Sequence, residues 1–262
     1  MIGVFDSGLG GLSVLAAIAR HLPQGDLVYC ADSAHVPYGS RDDGFIVGRA
    51  LAIGEYLLQQ HGCRQLVVAC NTATAAAAQA LRDAHPGIPI VGVEPGIKPA
   101  AQQSRTGHIA VLATESTARS DRLRRLIRDH AGDVAVHIVP CPGWATQVES
   151  LRLDAPEFVA SVQRTVAPLR SLGVDQAVLG CTHYSFLAPQ LTAVLGPDIA
   201  LVDVADAVAR QTVRLAAGHA AGRGSLRLAA TARPEQLMAA LPRLGLASLR
   251  SRIHQPAMIA AV

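Results

Sequence analysis

The sequence is poor in lysine and in aromatic residues, and it has no long apolar run. Lys98 is the only lysine, since the other Lys and Arg residues of the total of 23 are arginines. Aromatic side chains make up 3% of the 262 residues. The longest stretch without Asp, Glu, Lys or Arg is 176 to 197, and it contains His183 and two prolines. We interpret that stretch as a buried strand and helix, so a membrane span is not predicted.

Cysteine is sparse and widely spaced. The five cysteines are an odd number without any C-x-x-C motif, and the amino terminus MIGVFDSG lacks the basic region of a signal peptide. We therefore expect reduced thiols in a cytoplasmic protein, with no disulfide framework. The cysteines are Cys30, Cys63, Cys70, Cys141 and Cys181.

Charge gives little support for a polyanionic partner. The formal net charge is +3, and the arginines are scattered without a basic run. Binding to nucleic acid or to a membrane surface is therefore not predicted. The length allows either one large domain or two domains of moderate size.

Two segments of the chain resemble each other. Residues 66 to 72 read LVVACNT and residues 177 to 183 read AVLGCTH, so an apolar strand-like run ends at Cys70 in one and at Cys181 in the other. A second pair of strand-like segments, 2 to 7 and 109 to 114, has nearly the same offset. We infer an α/β fold of two similar halves, each a mostly parallel sheet flanked by helices. Sites in such sheets lie at the carboxyl ends of strands.

Periodicity predicts alternating strands and helices along the whole chain. The turn at 6 to 11, DSGLGG, fails the dinucleotide fingerprint because Ser13 stands where the third glycine belongs, and its alternative use is to bind a carboxylate. Predicted strands are 2–6, 26–31, 65–70, 88–93, 108–113, 134–139, 176–181 and 200–203. Predicted helices are 12–21, 45–61, 72–84, 118–130, 156–171, 185–195 and 204–221, with helical pieces near 234–240.

The cysteines divide into two groups. Cys30, Cys63 and Cys141 are expected to be small buried hydrophobic residues. Cys70 and Cys181 each precede a predicted helix start, where the partial positive charge stabilises a thiolate. Zinc needs three or four protein ligands, so a metal site is not predicted from Cys181 and its neighbouring histidine alone.

Two kinds of chemistry remain open for these thiols. One cysteine with His183 as its base could act as a nucleophile in a hydrolase or transferase, although Cys70 then has no role. Alternatively, one thiol removes a proton from a carbon and the other returns a proton to the opposite face. Pyridoxal phosphate would require a lysine, and Lys98 lies between Ile97 and Pro99, so we expect a cofactor-free reaction.

Several motifs together resemble the bacterial glutamate racemases, the cofactor-independent enzymes of the Asp/Glu racemase superfamily. The resemblance extends over about residues 2 to 221. The motifs are FDSGLGGL at 5–12, PYG at 37–39, ACNTAT at 69–74, GVEPGIKPA at 92–100, CP at 141–142, VE at 148–149 and GCTHY at 180–184.

The resemblance implies a role for each residue that matches these motifs. Cys70 and Cys181 correspond to the two acid/base thiols, one for each enantiomer. Asp6 assists the first thiol, His183 lies beside the second, and Glu149 orients that histidine. The substrate would be bound by Asp6, Ser7, Tyr38, Gly39, Asn71, Thr72, Thr182 and His183.

The resemblance also implies an organisation and an activity. The fold would be two pseudosymmetric α/β domains, 1–94 with 207–262 and 95–206, with the site in the cleft between them. The activity would be interconversion of L- and D-glutamate without cofactor or metal, supplying D-glutamate for peptidoglycan in a bacterial cytoplasm. Alternatives are a racemase of aspartate or a related acid, and a small-ligand binding protein on the same scaffold. A homodimer is compatible with the sequence. Because the chain begins almost at its first strand, we expect no activation by a cell-wall precursor.

Overall fold

The computed structural model describes residues 1–216 and 221–262, and the chain divides into two compact units. Unit 1 consists of Met1–Val93 and Ala205–Val262, and unit 2 of Glu94–Val204. Among the described residues, no helix combines the length and apolar character that crossing a membrane requires.

The described residues form ten strands and twelve α-helices. The strands are β1 (Ile2–Asp6), β2 (Leu27–Ala31), β3 (Leu66–Val68), β4 (Ile90–Gly92), β5 (His108–Ala113), β6 (Ala135–Pro140), β7 (Gln176–Leu179), β8 (Ala200–Val202), β9 (Leu226–Ala230) and β10 (Met258–Ile259). The helices are α1 (Leu12–His21), α2 (Asp43–His61), α3 (Asn71–Ala84), α4 (Ile97–Gln103), α5 (Glu115–Arg119), α6 (Asp121–His130), α7 (Trp144–Glu149), α8 (Pro156–Val166), α9 (Pro168–Ser171), α10 (Ala188–Leu195), α11 (Ala205–Leu215) and α12 (Glu235–Arg243). Short 3₁₀ helices occupy Tyr38–Ser40, Thr182–Leu187 and Ala247–Arg252.

Each unit contains one parallel sheet, which confirms the predicted fold class. The six strands of unit 1 are ordered β10-β9-β2-β1-β3-β4, and the four strands of unit 2 are ordered β6-β5-β7-β8. Strands β1, β2, β3 and β7 are buried throughout, as expected when helices cover both faces of a parallel sheet.

Local sequence explains where the clearest helices begin and end. The Asp42 side chain caps α2 by accepting a hydrogen bond from Phe45 N at 2.9 Å, and Gly62 ends this helix with a φ of 60°. Helix α1 begins at Leu12 and ends at His21, as predicted. These caps and the apolar periodicity are local signals, so the sequence could predict them.

Several predicted helices are divided or shortened. The predicted helix 118–130 is two helices because Ser120 is extended (ψ 141°) and its hydroxyl caps α6. The predicted helix 156–171 divides before Pro168, which has no N–H to donate. The predicted helix 185–195 is a 3₁₀ helix up to Leu187 and then α10. Helix α11 ends at Leu215, and positions 217–220 of the predicted helix 204–221 lie outside the described residues.

The C-terminal segment contains more regular structure than its sequence predicts. Strands β9 and β10 were not predicted, yet β9 pairs with β2 over five residues and β10 pairs with β9. Helix α12 extends the predicted piece near 234–240 to Arg243. The segment after Gly222 therefore completes the sheet of unit 1.

Candidate active site

Cys70 lies at the start of a helix in unit 1. Strand β3 is hydrogen-bonded between β1 and β4, and the chain leaves it through Ala69 to reach Cys70, the N-cap residue of the 14-residue helix α3. The sulfur accepts a hydrogen bond from Ala73 N at 3.4 Å, and only 5% of the residue is exposed. Backbone N–H groups at a helix start stabilise negative charge, so this position favours a thiolate.

The turn after β1 brings small polar groups to the same place. Ser7 Oγ lies 4.0 Å from Cys70 Sγ, and the fully buried Asp6 accepts a hydrogen bond from Gly8 N at 3.0 Å. Gly11 allows this packing, since a Cβ there would lie 2.7 Å from the Cβ of Asp6. The DSGLGG turn thus packs the start of α1 against a buried carboxylate.

The segment Tyr38–Ser40 contributes a buried tyrosine to unit 1. Tyr38 is 1% exposed and belongs to the same buried cluster as Cys70. Its hydroxyl donates to Asp32 Oδ2 at 2.6 Å. Burial, the Asp32 carboxylate and the negative charge of a thiolate at Cys70 raise the pKa of the phenol well above its usual value. Tyr38 is therefore a neutral hydrogen-bond donor in the physiological pH range.

The first turn of α3 supplies further polar groups. Asn71 and Thr72 are each 5% exposed. The Nδ2 atom of Asn71 is buried and has no hydrogen-bond partner among residues 1–216 and 221–262. A buried amide donor without a partner costs free energy, which a bound acceptor such as a carboxylate would recover.

Cys181 of unit 2 lies beside a histidine and a glutamate. Its sulfur is 3.6 Å from Nδ1 of His183, and Nε2 of the same ring is 2.6 Å from Glu149 Oε1. Cys181 precedes the 3₁₀ helix Thr182–Leu187. This helix has six residues, whereas α3, which follows Cys70, has 14. Thr182 and His183 are 5% and 3% exposed.

The histidine is held in its charged form. Burial lowers the pKa of the His183 imidazole, but its hydrogen bonds to Cys181 and Glu149 and the negative charges there outweigh this effect. The net result is a pKa well above the ordinary value. As an imidazolium, His183 donates Nδ1–H to the sulfur and Nε2–H to the carboxylate, and so stabilises a thiolate beside it.

Tight packing fixes the backbone around Cys181. Gly180 N donates to Leu112 O at 2.7 Å, and a Cβ on Gly180 would lie 2.8 Å from that oxygen. Glu149 ends α7, whose Trp144 packs edge-on against Tyr184 at a ring distance of 5.2 Å. The helix that carries Glu149 and the segment that carries His183 are thereby packed together.

The remaining cysteines are buried, as predicted. Burial raises the pKa of Cys30, Cys63 and Cys141 to about 12 each. These thiols stay protonated and unreactive at neutral pH. Within the described parts of the chain, no group of three or more His, Cys, Asp or Glu side chains could hold a metal ion.

Each unit thus brings together part of the predicted set of site residues. In unit 1 these are Asp6, Ser7, Tyr38, Gly39, Cys70, Asn71 and Thr72, and in unit 2 they are Glu149, Cys181, Thr182 and His183. Asp32 and Arg49 are not among the residues selected from the sequence: Asp32 accepts a hydrogen bond from the Tyr38 hydroxyl, and Arg49 donates to Asp32. A buried aspartate directly after a strand was the available signal, since a carboxylate is rarely buried without a partner.

Comparison with known proteins assigns the chain to a family. Residues 6–212 match the model of the Asp/Glu/Hydantoin racemase family, and the chain belongs to this family. Glutamate racemase of Pseudomonas aeruginosa strain PAO1 is 45% identical over 248 residues, 92% of each chain. Escherichia coli glutamate racemase in complex with L-glutamate and the activator UDP-MurNAc-Ala has a TM-score of 0.88 at 30% identity, covering 100% of this chain and 98% of that one. Glutamate racemase isoform RacE1 from Bacillus anthracis has a TM-score of 0.86 at 30% identity, covering 100% of this chain and 97% of that one.

Proposed function

We propose that the protein is a glutamate racemase that interconverts L- and D-glutamate with two thiols and no cofactor. The observation that carries the proposal is the repeated placement of a cysteine: Cys70 and Cys181 each follow a buried parallel strand and each precede a helix. Membership of the racemase family and the named relatives support glutamate as the substrate.

Racemisation needs one base and one acid on opposite faces of the α-carbon. In each direction, one sulfur as thiolate removes the α-proton, and the other sulfur as thiol delivers its proton to the opposite face. The roles reverse for the other enantiomer. After one turnover the first sulfur carries the proton and the second does not, so exchange with water resets the pair.

Different neighbouring groups assist the two thiols. Cys70 has the start of α3 and the hydroxyl of Ser7 beside it, with Asp6 in the same turn as the assisting carboxylate. Cys181 has the imidazolium of His183, which Glu149 orients and keeps charged. Negative charge developing on the substrate carboxylate would be stabilised by N–H groups that are already oriented.

Binding of glutamate requires donors for two carboxylates and acceptors for an ammonium group. We propose that the carboxylates and the ammonium group of glutamate bind to the site residues named above for units 1 and 2. Asn71 Nδ2 supports this assignment, because it is a buried donor that no described residue satisfies. The remaining groups are Asp6, Ser7, Tyr38, Gly39, Thr72, Thr182 and His183.

The cellular role follows from the product. D-glutamate is a component of peptidoglycan, so the enzyme would supply this precursor in a bacterial cytoplasm. A homodimer stays a prediction, which sedimentation of the purified protein tests.

The proposal is tested by measuring optical rotation or circular dichroism of glutamate incubated with the protein and no added cofactor. We expect L- and D-glutamate to approach an equal mixture from either side, and both enantiomers of aspartate to react far more slowly. Faster racemisation of aspartate would assign the enzyme to that substrate, and binding of glutamate without turnover would indicate a binding protein.

Two variants and a control connect the activity with the two thiols. Cys70→Ser and Cys181→Ser should each lower racemisation by about 10²-fold or more, the range typical of losing a general acid or base. Cys63→Ala is the matched control, since Cys63 is equally buried and its thiol stays protonated. Activity that survives either serine substitution would contradict the two-thiol mechanism.

A further inference from the structure

The buried Asp32 carboxylate accepts several hydrogen bonds, and Asp32 is not among the predicted site residues. It is 0% exposed and follows β2 directly. Oδ2 accepts from Tyr38 OH at 2.6 Å and Arg49 Nε at 2.9 Å, whereas Oδ1 accepts from Arg49 Nη2 at 3.0 Å and Thr231 Oγ1 at 2.8 Å. His35 Nδ1 lies 2.9 Å from Oδ1.

The sheet register brings Thr231 to this carboxylate. Strands β2 and β9 pair in parallel with Ala31 opposite Ala230, so the residues that follow, Asp32 and Thr231, are neighbours. Thr231 N donates to Ala31 O at 3.0 Å, and Thr231 Oγ1 also accepts from Ala34 N at 2.9 Å. The threonine therefore fixes both the carboxylate and the loop that leads to Tyr38.

A gain in folding stability does not by itself account for a buried, ionised Asp32 carboxylate. Burial raises the pKa of Asp32, but hydrogen bonds from Arg49, Tyr38, His35 and Thr231 outweigh it and hold the pKa below its usual value. A buried ion pair often adds no net stability over apolar side chains of similar volume. Its advantage is geometric, because the forked Arg49 contact allows one orientation of the carboxylate.

That orientation determines the position of Tyr38. The ring is 1% exposed and packs in the cluster that contains Cys70. The Tyr38 hydroxyl is hydrogen-bonded to Asp32. This hydrogen bond fixes the ring and, through it, the backbone of the adjoining Gly39.

We propose that Asp32 is a positioning residue for the substrate-binding segment Tyr38–Ser40, and that Thr231 of the C-terminal segment sets the position of Asp32. The segment after Gly222 thereby contributes to substrate affinity without contacting the substrate. This inference rests on the proposed function, in which Tyr38 and Gly39 bind glutamate.

The test compares Thr231→Val, which removes only the hydroxyl, with Thr231→Ser, which keeps it. Thr231→Val should raise KM for glutamate about five- to tenfold and change kcat less than about twofold, as expected for one lost hydrogen bond that acts on binding. Thr231→Ser should restore KM to within about twofold of wild type.

Thr212→Val is the matched control in the same unit. Its hydroxyl is fully buried but donates to Val208 O within α11, away from Asp32. It should leave KM unchanged even if it lowers the melting temperature. A rise in KM equal to that of Thr231→Val would mean that general loosening of unit 1 is the cause, and the inference would be wrong.

A second readout does not depend on activity. The protein is labelled with 3-fluorotyrosine, and the ¹⁹F resonance of Tyr38 is assigned with Tyr38→Phe. Thr231→Val should shift this resonance, whereas Thr231→Ser and Thr212→Val should not.

The combined outcomes separate this inference from the proposed function. An unshifted Tyr38 resonance in Thr231→Val, or a shifted resonance with unchanged KM, overturns the positioning role. If the wild-type protein leaves glutamate unchanged, the proposed function fails, and the ¹⁹F measurement still decides whether Thr231 acts on Tyr38 through Asp32.

Discussion

His183 Nε2 lies 2.6 Å from Glu149 Oε1, and the opposite nitrogen of the same ring faces the sulfur of Cys181 at 3.6 Å. The Glu149 carboxylate, the His183 imidazole and the Cys181 thiol are thus connected in series, so the charge of Glu149 affects Cys181 through the imidazole. A negative Glu149 holds the ring protonated, and the protonated ring supports a negative sulfur. In unit 1, Cys70 lies instead at the start of α3, with Ser7 Oγ 4.0 Å from its sulfur.

Glu149→Gln should lower racemisation by about 10- to 100-fold, because one charge-assisted hydrogen bond contributes about 1.5 to 3 kcal/mol and each 1.4 kcal/mol is a factor of about ten. The amide keeps the shape of the side chain but no longer favours the imidazolium, so the pKa of His183 should fall. Rates measured between pH 6 and 9 should show a pH profile displaced to lower pH. An unchanged profile would mean that Glu149 does not control the charge of His183.

Gly11→Ala should destabilise unit 1 by about 1 to 3 kcal/mol, the usual cost of overpacking. The added methyl group would lie 2.7 Å from the Cβ of Asp6 and 3.0 Å from the Cβ of Ala69. Since Asp6 must shift, racemisation should fall as well. Urea denaturation and the activity assay measure the two effects.

Gly48→Ala is the control for that substitution. Gly48 is an exposed residue inside α2, and a Cβ there meets no atom within 4 Å. Alanine should stabilise the protein by about 0.5 to 1 kcal/mol and leave activity unchanged. Equal effects of the two alanine substitutions would contradict the packing assigned to Gly11.

The contribution of His61 to stability should decrease as the pH falls below about 6.5, the ordinary pKa of histidine. Burial and the positive charge of Arg227 lower the pKa of His61 in the folded protein, and neither ring nitrogen has a hydrogen-bond partner among the described residues. The unfolded chain then binds the proton more readily than the folded chain. This loss is absent above the unfolded pKa and complete below the folded one.

The variant His61→Gln tests this dependence. Its free energy of unfolding, measured in urea at pH 7.5 and pH 5.5, should fall less between the two pH values than that of the wild type. An identical decrease would assign the acid sensitivity to other groups.

Arg252→Ala should destabilise unit 1 by about 2 to 4 kcal/mol, because several buried carbonyl groups would lose a charged donor. The guanidinium donates to Gly224 O at 2.7 Å and to Ala19 O at 3.0 Å, and it also contacts Gly25 O. It thus joins the C-terminal segment to the end of α1. Arg250→Ala, at an exposed position, should change the melting temperature little.

Much of the fold could be predicted because its signals are local. The apolar run before each cysteine, the caps of α2 and the helix periodicity depend on neighbouring residues alone. Strand β9 could not be predicted, since LRLAA is short, has no strong alternation and becomes a strand by pairing with β2, about 200 residues earlier. Strand β10 in turn depends on β9.

The same limit applies to the site. Cys70, Cys181 and His183 occur in recognisable motifs, so their selection needed only the sequence. The contacts among Asp32, Arg49 and Thr231 depend on the register between β2 and β9, which no local pattern specifies. Likewise, Ser120 and Pro168 interrupt helices that periodicity alone extends through them.

Transfer of solvent hydrogen to the α-carbon tests the two-thiol mechanism most directly. The protein is incubated with L-glutamate in deuterated water without cofactor, and both enantiomers are separated and analysed by mass spectrometry at early times. We predict that the D-glutamate formed carries deuterium at the α-carbon, whereas the remaining L-glutamate still carries protium, because different sulfurs remove and return the proton. D-glutamate that retains the original protium, or deuterium appearing equally early in both enantiomers, would contradict the mechanism.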